Sequence, residues 1–215
     1  MISTKNYAAL PEPATLQPIC RAMAVLDAIN SPDWEYRYHS YDPAWGENEA
    51  VFQLNTGEGD EMLILFRPEG CCINGYVDTY AQPDKAQVTQ GLPAVFEEFV
   101  FGEPVSSIGT TFCLWYTPAQ GWQTGAIDQA ADDGSEEMLY LLDARPESYA
   151  EWANEYFVED TGRPLLSVAD VTRVYQGEAL TRDVVQRLNP ELEQEDLEAL
   201  AAELQEIGYP YSFSA

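Results

Sequence analysis

The chain has 215 residues, thirty-seven of them Asp or Glu against ten Lys or Arg, for a formal charge of -27. A field of that sign repels nucleic acid and acidic membrane surfaces and attracts basic proteins or cations. With 46% hydrophobic and 12% aromatic residues, there is ample material for a packed core, which excludes a disordered chain. The first thirty residues hold two acids and two bases, so the surplus is spread over everything after them rather than gathered in a tail. No stretch approaches the roughly 20 apolar residues that span a bilayer. Met1-Ile2-Ser3-Thr4-Lys5 lacks the charged-then-apolar order of a signal peptide, and a cytoplasmic location is the expectation.

Residues 1–14 read as an irregular arm, with Pro11 and Pro13 opposing regular structure. Thr15 can cap a helix to about Asn30 whose stripe is Leu16, Ile19, Met23, Leu26 and Ile29, with Pro18 in its permissive first turn. Ser31-Pro32 ends it. Trp34 to Tyr41 alternates as a strand, Trp34, Tyr36, Tyr38 and Ser40 facing one way and Glu35, Arg37, His39 and Tyr41 the other. Asp42-Pro43 and Gly46 predict a loop, and Glu49 to Asn55 a second strand.

The best candidate for the centre of a sheet is Gly59 to Tyr80. Met62 to Phe66 is an unbroken apolar run, as in a strand covered on both faces. Arg67-Pro68-Glu69-Gly70 makes a turn, and Cys71 to Thr79 returns beside the first strand. Ala81 to Gln90 reads as loop, Ala94 to Phe101 as a short helix, Thr110 to Thr117 and Trp122 to Ile127 as further strands.

After Asp132-Asp133-Gly134 the period becomes helical. Starts are expected at Ser135, Pro146, Ser167 (with a capping-box-like pattern to Asp170), Thr181 and Asn189-Pro190. The last helix is the clearest, with Leu197, Leu200, Ala201, Leu204 and Ile207 as its stripe and Gly208 as its stop. The expected fold is a single α+β domain over 1–215, sheet-rich over 15–127 and helical over 135–208. It is an antiparallel sheet of about six strands with an N-terminal helix and a helical C-terminal third packed against it.

Motifs that carry chemistry are scarce. His39 is the only histidine, so a Ser-His-Asp or Cys-His mechanism would have to use it, and no local signature of a nucleophilic enzyme accompanies it. Cys20, Cys71, Cys72 and Cys113 form no C-x-x-C pair and read as buried thiols. Asp128, Asp132, Asp133, Glu136 and Glu137 crowd a turn and offer oxygen ligands for Ca²⁺ or Mg²⁺, but their spacing is not that of a Ca²⁺ loop, and helix capping also explains them. No metal site and no cofactor are therefore assigned. Glycine-rich phosphate loops and basic patches are missing.

The aromatic residues are more suggestive. Trp34, Tyr36, Tyr38, Tyr41 and Trp45 fall within a dozen residues among Asp33, Glu35, Asp42, Glu47 and Glu49. Rings supply buried area and cation-π contact while acids steer association, which suits a basic protein partner. Rings facing with Tyr36 read more as core than as contact. The contact set is Trp34, Glu35, Tyr41, Asp42, Trp45, Glu47 and Glu49.

Ser31 to Tyr38, Gly59-Asp60-Glu61 and Asp133-Gly134-Ser135-Glu136 resemble stretches of an uncharacterised family of acidic bacterial proteins over most of the chain. In size, acidity and α+β make-up the chain also resembles the immunity proteins that neutralise bacterial toxins. The charge, the aromatic cluster and the missing catalytic motif point to a non-enzymatic, cytoplasmic protein that binds a basic partner, in the manner of an immunity-type inhibitor that occludes a toxin or, as a variant, of a DNA mimic. Two alternatives stand beside it: an enzyme using the Asp128–Glu137 carboxylates, with or without a metal, and an acidic structural protein whose charge reflects habitat.

Overall fold

A computed structural model describes residues 1–159 and 161–213. Helix α1 (Pro13–Asn30) is followed by a 3-10 turn at Trp34–Tyr36 and four strands, β1 (His39–Gly46), β2 (Glu49–Asn55), β3 (Glu61–Arg67) and β4 (Gly70–Tyr76). Short helices α2 (Lys85–Val88), α3 (Glu97–Phe101) and α4 (Val105–Ile108) lead into strands β5 (Phe112–Thr117) and β6 (Gly121–Thr124). Then come α5 (Ser135–Leu139), α6 (Pro146–Ala153) continued by a π turn at Asn154–Val158, and α7 (Val168–Tyr175). The chain closes with β7 (Leu180–Thr181), α8 (Arg182–Leu188), α9 (Gln194–Ile207) and β8 (Tyr211–Ser212), which pairs parallel with β7.

The first six strands form an antiparallel meander in the order β1-β2-β3-β4-β5-β6, with the β3–β4 hairpin at its centre as its unbroken apolar run requires. Its register creates two faces. The row Tyr41, Phe52, Ile64, Ile73 and Leu114 faces α1, while Asp42, Val51, Leu65, Cys72 and Trp115 face the other way. Phe96, Phe99, Val100 and Val105 from α3, its preceding turn and α4 cover the second face. On the first face α1 is buried almost all round from Ile19 onward, because the sheet lies on one side and α7, α8 and α9 on the other. The C-terminal helices thus share one core with the sheet, largely across α1.

Close packing sets one glycine. Gly75 lies opposite both Met62 and Phe112, and a β-carbon there would run into the Phe112 ring. Gly75→Ala is expected to cost about 1–3 kcal/mol through overpacking, read as a lower Tm by calorimetry; an unchanged Tm would show that the ring can move aside.

Several boundaries differ from expectation. Helix α1 starts at Pro13, which suits the first helical position, so Pro18 lies inside the helix and not in its first turn. The arm before it is tied down: Thr4 N–H donates to Ser135 Oγ (3.0 Å), Lys5 Nζ reaches the Ala131 carbonyl, and Ile2 and Leu10 are buried. The expected loop at Ala81–Gln90 contains α2, capped by Asp84, which accepts from Ala86 N–H. Ser167 does precede α7 but makes no side-chain cap. Helix α9 begins at Gln194 rather than near Pro190, with a reciprocal capping box between Glu193 and Asp196.

The largest difference is at Trp34–Gly46. Trp34 and Tyr36 are not on a strand; the strand begins at His39 and runs through Asp42-Pro43, with a break in register between Asp42 and Gly46. Because β1 is an edge strand, the missing Pro43 donor leaves no ladder bond unmade. Long-range hydrogen bonds described below override the local alternation.

Asp170 on α7 receives Arg187 of α8 through Nη2 (2.6 Å) and Nε (3.0 Å). These bonds hold the Asp170 carboxyl below its ordinary value of 3.8. A depressed folded value contributes stability above the ordinary carboxylate range, and that contribution is lost as pH falls through it. Asp170→Asn should therefore flatten the acid limb of stability against pH below about pH 5, in urea titrations at a series of pH values. An acid limb identical to the parent's would contradict this.

Candidate partner-binding face

The site is built from the end of α1 outward. Asp27 is the one acid on the buried circumference of α1, and its carboxylate is fully enclosed. Oδ2 accepts the Tyr38 and His39 amides (3.0 and 2.9 Å), and Oδ1 accepts the Tyr149 hydroxyl of α6 (2.7 Å). His39 Nδ1 lies 3.1 Å from both oxygens. Its ring stacks on Phe52 and meets Trp152 edge-on. Burial, then Asp27, pushes the Tyr149 hydroxyl well above its ordinary value. One carboxylate thus joins α1, the start of β1 and α6, so the edge strand departs from a fixed point.

Arg37 folds the segment before that point. Its Nε donates to the Ser31 carbonyl (2.7 Å), Nη2 to Pro32 (3.0 Å), and Nη1 pairs with Glu203 of α9. The guanidinium lies 5.3 Å from the Trp34 ring centre. Held this way, the 3-10 turn turns Trp34 and Tyr36 outward, 63% and 54% exposed. At the far end of β1, Asp42 Oδ1 accepts from Ala44 N–H (2.8 Å), Asn48 takes a positive φ of 62°, and Trp45 is left 44% exposed.

Two cavities adjoin on the sheet face away from α1. One of about 220 Å³ is lined by Trp34, Glu35, Arg37, Tyr38, Ser40, Gln53 and Asn55. The other, about 430 Å³, is lined by Trp34, Ser40, Asp42, Trp45, Gln53, Glu61 and Pro104. Their shared residues Trp34, Ser40 and Gln53 make one groove across β1 and β2, with Trp34 in its middle. A third hollow of about 260 Å³ lies along the β1 edge against α9, with Trp34, Asp42, Glu203 and Glu206 around it.

The structure therefore brings Trp34, Glu35, Asp42 and Trp45 onto one surface. Glu47 is exposed in the adjoining hairpin. Tyr41 borders the 260 and 430 Å³ hollows, but contrary to expectation its side chain is only 6% exposed and lies on the α1 face, with its hydroxyl accepting from Gln17 Nε2 (2.8 Å) and Arg21 over its ring. Glu49 is ion-paired with Arg67 (3.2 Å), and its charge is largely spent within the fold. The ring preference is reversed as well, since Trp34 and Tyr36 are exposed while Tyr41 is core. Missed from the sequence were Gln53, which donates to Glu61 (2.5 Å), and Pro104. The signal for Gln53 was present: a polar residue interrupting an apolar strand on the side that Ser40 shares.

Of the other candidate carboxylates, Asp128, Asp132, Asp133 and Glu137 find partners inside the fold. Asp133 accepts from Thr4 Oγ1 (2.5 Å) and Ser135 Oγ (2.6 Å), Asp128 from Ala130 N–H, and Glu137 from the Tyr80 hydroxyl, which that bond pushes up to about 12. Among the described residues no three His, Cys, Asp or Glu side chains are grouped to hold a metal ion. All four cysteines are buried, and burial pushes the Cys20, Cys71 and Cys72 thiols well up. No described helix is long and apolar enough to cross a membrane. No protein-family model matches the chain, and neither a curated protein nor a solved structure is similar to it.

Proposed function

We propose that the chain is an acidic protein-binding module, an immunity-type inhibitor acting in the cytoplasm of a bacterium by occluding a basic partner such as a toxin. The observation that carries this reading is the groove. Two large exposed rings, Trp34 and Trp45, line it, and a third, Tyr36, stands in solvent on the same turn as Trp34. Glu35, Asp42 and Glu47 beside them make no ion pair among the described residues. Exposed aromatics in one place with unneutralised carboxylates combine an anchor with a steering field. Without a partner these rings remain an apolar patch facing water, which monomeric surfaces seldom retain. The rest of the acid surplus keeps nucleic acid and anionic lipid away from the same face.

The test is site-specific photo-crosslinking in the native cell. A benzophenone side chain at Trp34 or Trp45 is expected to capture one basic protein, while the same group at exposed Leu165 captures none. Equal capture from all three positions would sink the proposal.

A further inference from the structure

The groove does not end at the residues that the sequence marks. Its wall at Tyr38 is also the first ring of a ladder that runs into the C-terminal third. Tyr38 lies 4.6 Å from Tyr156 and 5.4 Å from Trp152, ring centre to ring centre, and Trp152 and Tyr156 stack almost parallel. Tyr156 sits in the π turn at Asn154–Val158. That wider turn directs Phe157 into the core while leaving Tyr156 39% exposed, and such turns recur at functional sites. Glu58 is exposed in the β2–β3 turn, where Asn55 N–H donates to the Tyr38 carbonyl (2.8 Å) and Gly57 lines the same cavity as Tyr38. After burial it raises the Tyr38 hydroxyl, and it adds to burial, Tyr38 and Asp27 in raising that of Tyr156.

This chain already shows what such rings do with cations. Arg21 lies over Tyr41, Arg37 over Trp34 and Lys85 over Phe101, each about 5 Å from the ring centre. Among the described residues no cation of the chain lies over Tyr36, Trp45 or Tyr156, and Glu58 makes no ion pair. Rings of this kind beside a free carboxylate fit a guanidinium, which stacks on the ring and forks onto the acid.

We propose that Tyr38, Glu58 and Tyr156 form a second lobe of the partner-binding face, and that its occupant is an arginine side chain of the same basic partner whose body covers the Trp34–Trp45 groove. This inference rests on the protein-binding reading above. It adds that recognition is composite, joining the edge of the sheet to α6, and that the partner presents arginine there.

The probe is an acetylated, amidated peptide alternating arginine with glycine, titrated into isotopically labelled protein at physiological salt and followed by amide and indole chemical shifts. Shifts are expected together at Tyr38, Glu58, Tyr156 and the Trp34 indole. Glu58→Lys and Tyr156→Ala should each weaken the peptide about fivefold, while Tyr156→Phe, which keeps the ring, should not. Glu58→Lys, at an exposed turn, keeps the test valid should Tyr156→Ala disturb α6. Shifts confined to Trp34 and Trp45, with Glu58→Lys without effect, would overturn the second lobe and leave the protein-binding reading standing. Shifts spread evenly over the acidic surface, or gathered on α9, would overturn both.

Discussion

Asp27→Ala is expected to lower stability by about 3–5 kcal/mol, and the Tm by roughly 10 °C or more. The substitution strands two backbone donors, Tyr38 and His39, the Tyr149 hydroxyl and the His39 ring in a site closed to water. A buried donor left without its acceptor loses its full desolvation cost rather than the modest net worth of one bond. Tyr149→Phe removes only one of these donors and should cost about 1 kcal/mol. In the double variant the loss should be less than the sum, because Tyr149 no longer has Asp27 to serve. Urea unfolding of the four proteins measures all of this. A loss below 1 kcal/mol for Asp27→Ala would mean that water replaces the carboxylate, and that β1 is not anchored as described. The same variant bears on the proposed function, since β1 leaves the Asp27 carboxylate to form the groove.

The second large effect is on association. Trp34→Ala should weaken the partner captured by crosslinking about thirtyfold or more, chiefly through faster dissociation, as for a ring at the centre of a contact. Reversing Glu35, Asp42 and Glu47 to lysine should instead slow association about tenfold or more at low salt and reduce its salt dependence. Glu49→Lys should do more to stability than to association, because it breaks the contact with Arg67. Stopped-flow kinetics separate the two classes. If charge reversal left the association rate unchanged, the field around the groove would play no part in recognition.

Much of the fold was legible because its signals are local. The apolar run at Met62 to Phe66 announced a strand covered on both faces, and the Arg67–Gly70 turn fixed the register of its partner. The stripe from Leu197 to Ile207 and the stop at Gly208 gave the last helix. What misled was the perfect alternation from Trp34 to Tyr41. Alternation sees only neighbours along the chain, whereas Asp27, Arg37 and Glu203 act across distances in sequence that it does not register. They convert the first half of that segment into a turn and shift the strand toward Gly46. The same contacts decide which rings face water: Trp34 stays on the surface while Tyr41, also expected there, is drawn into the core. A lone aspartate in the otherwise apolar Ala22 to Ile29 stretch was the available sign that a buried polar hub had to exist. Tyr156 offered no such sign, since its exposure follows from the π turn.

The most direct measurement is amide hydrogen exchange of this protein alone and saturated with the crosslinked basic partner. Protection gained over Trp34 to Trp45 and Gln53 to Glu61, with the face of α9 away from β1 unchanged, is what the groove predicts. Protection confined to α9 or to the β6 edge, with the Trp34 turn exchanging as freely as before, would place the partner elsewhere and contradict the account.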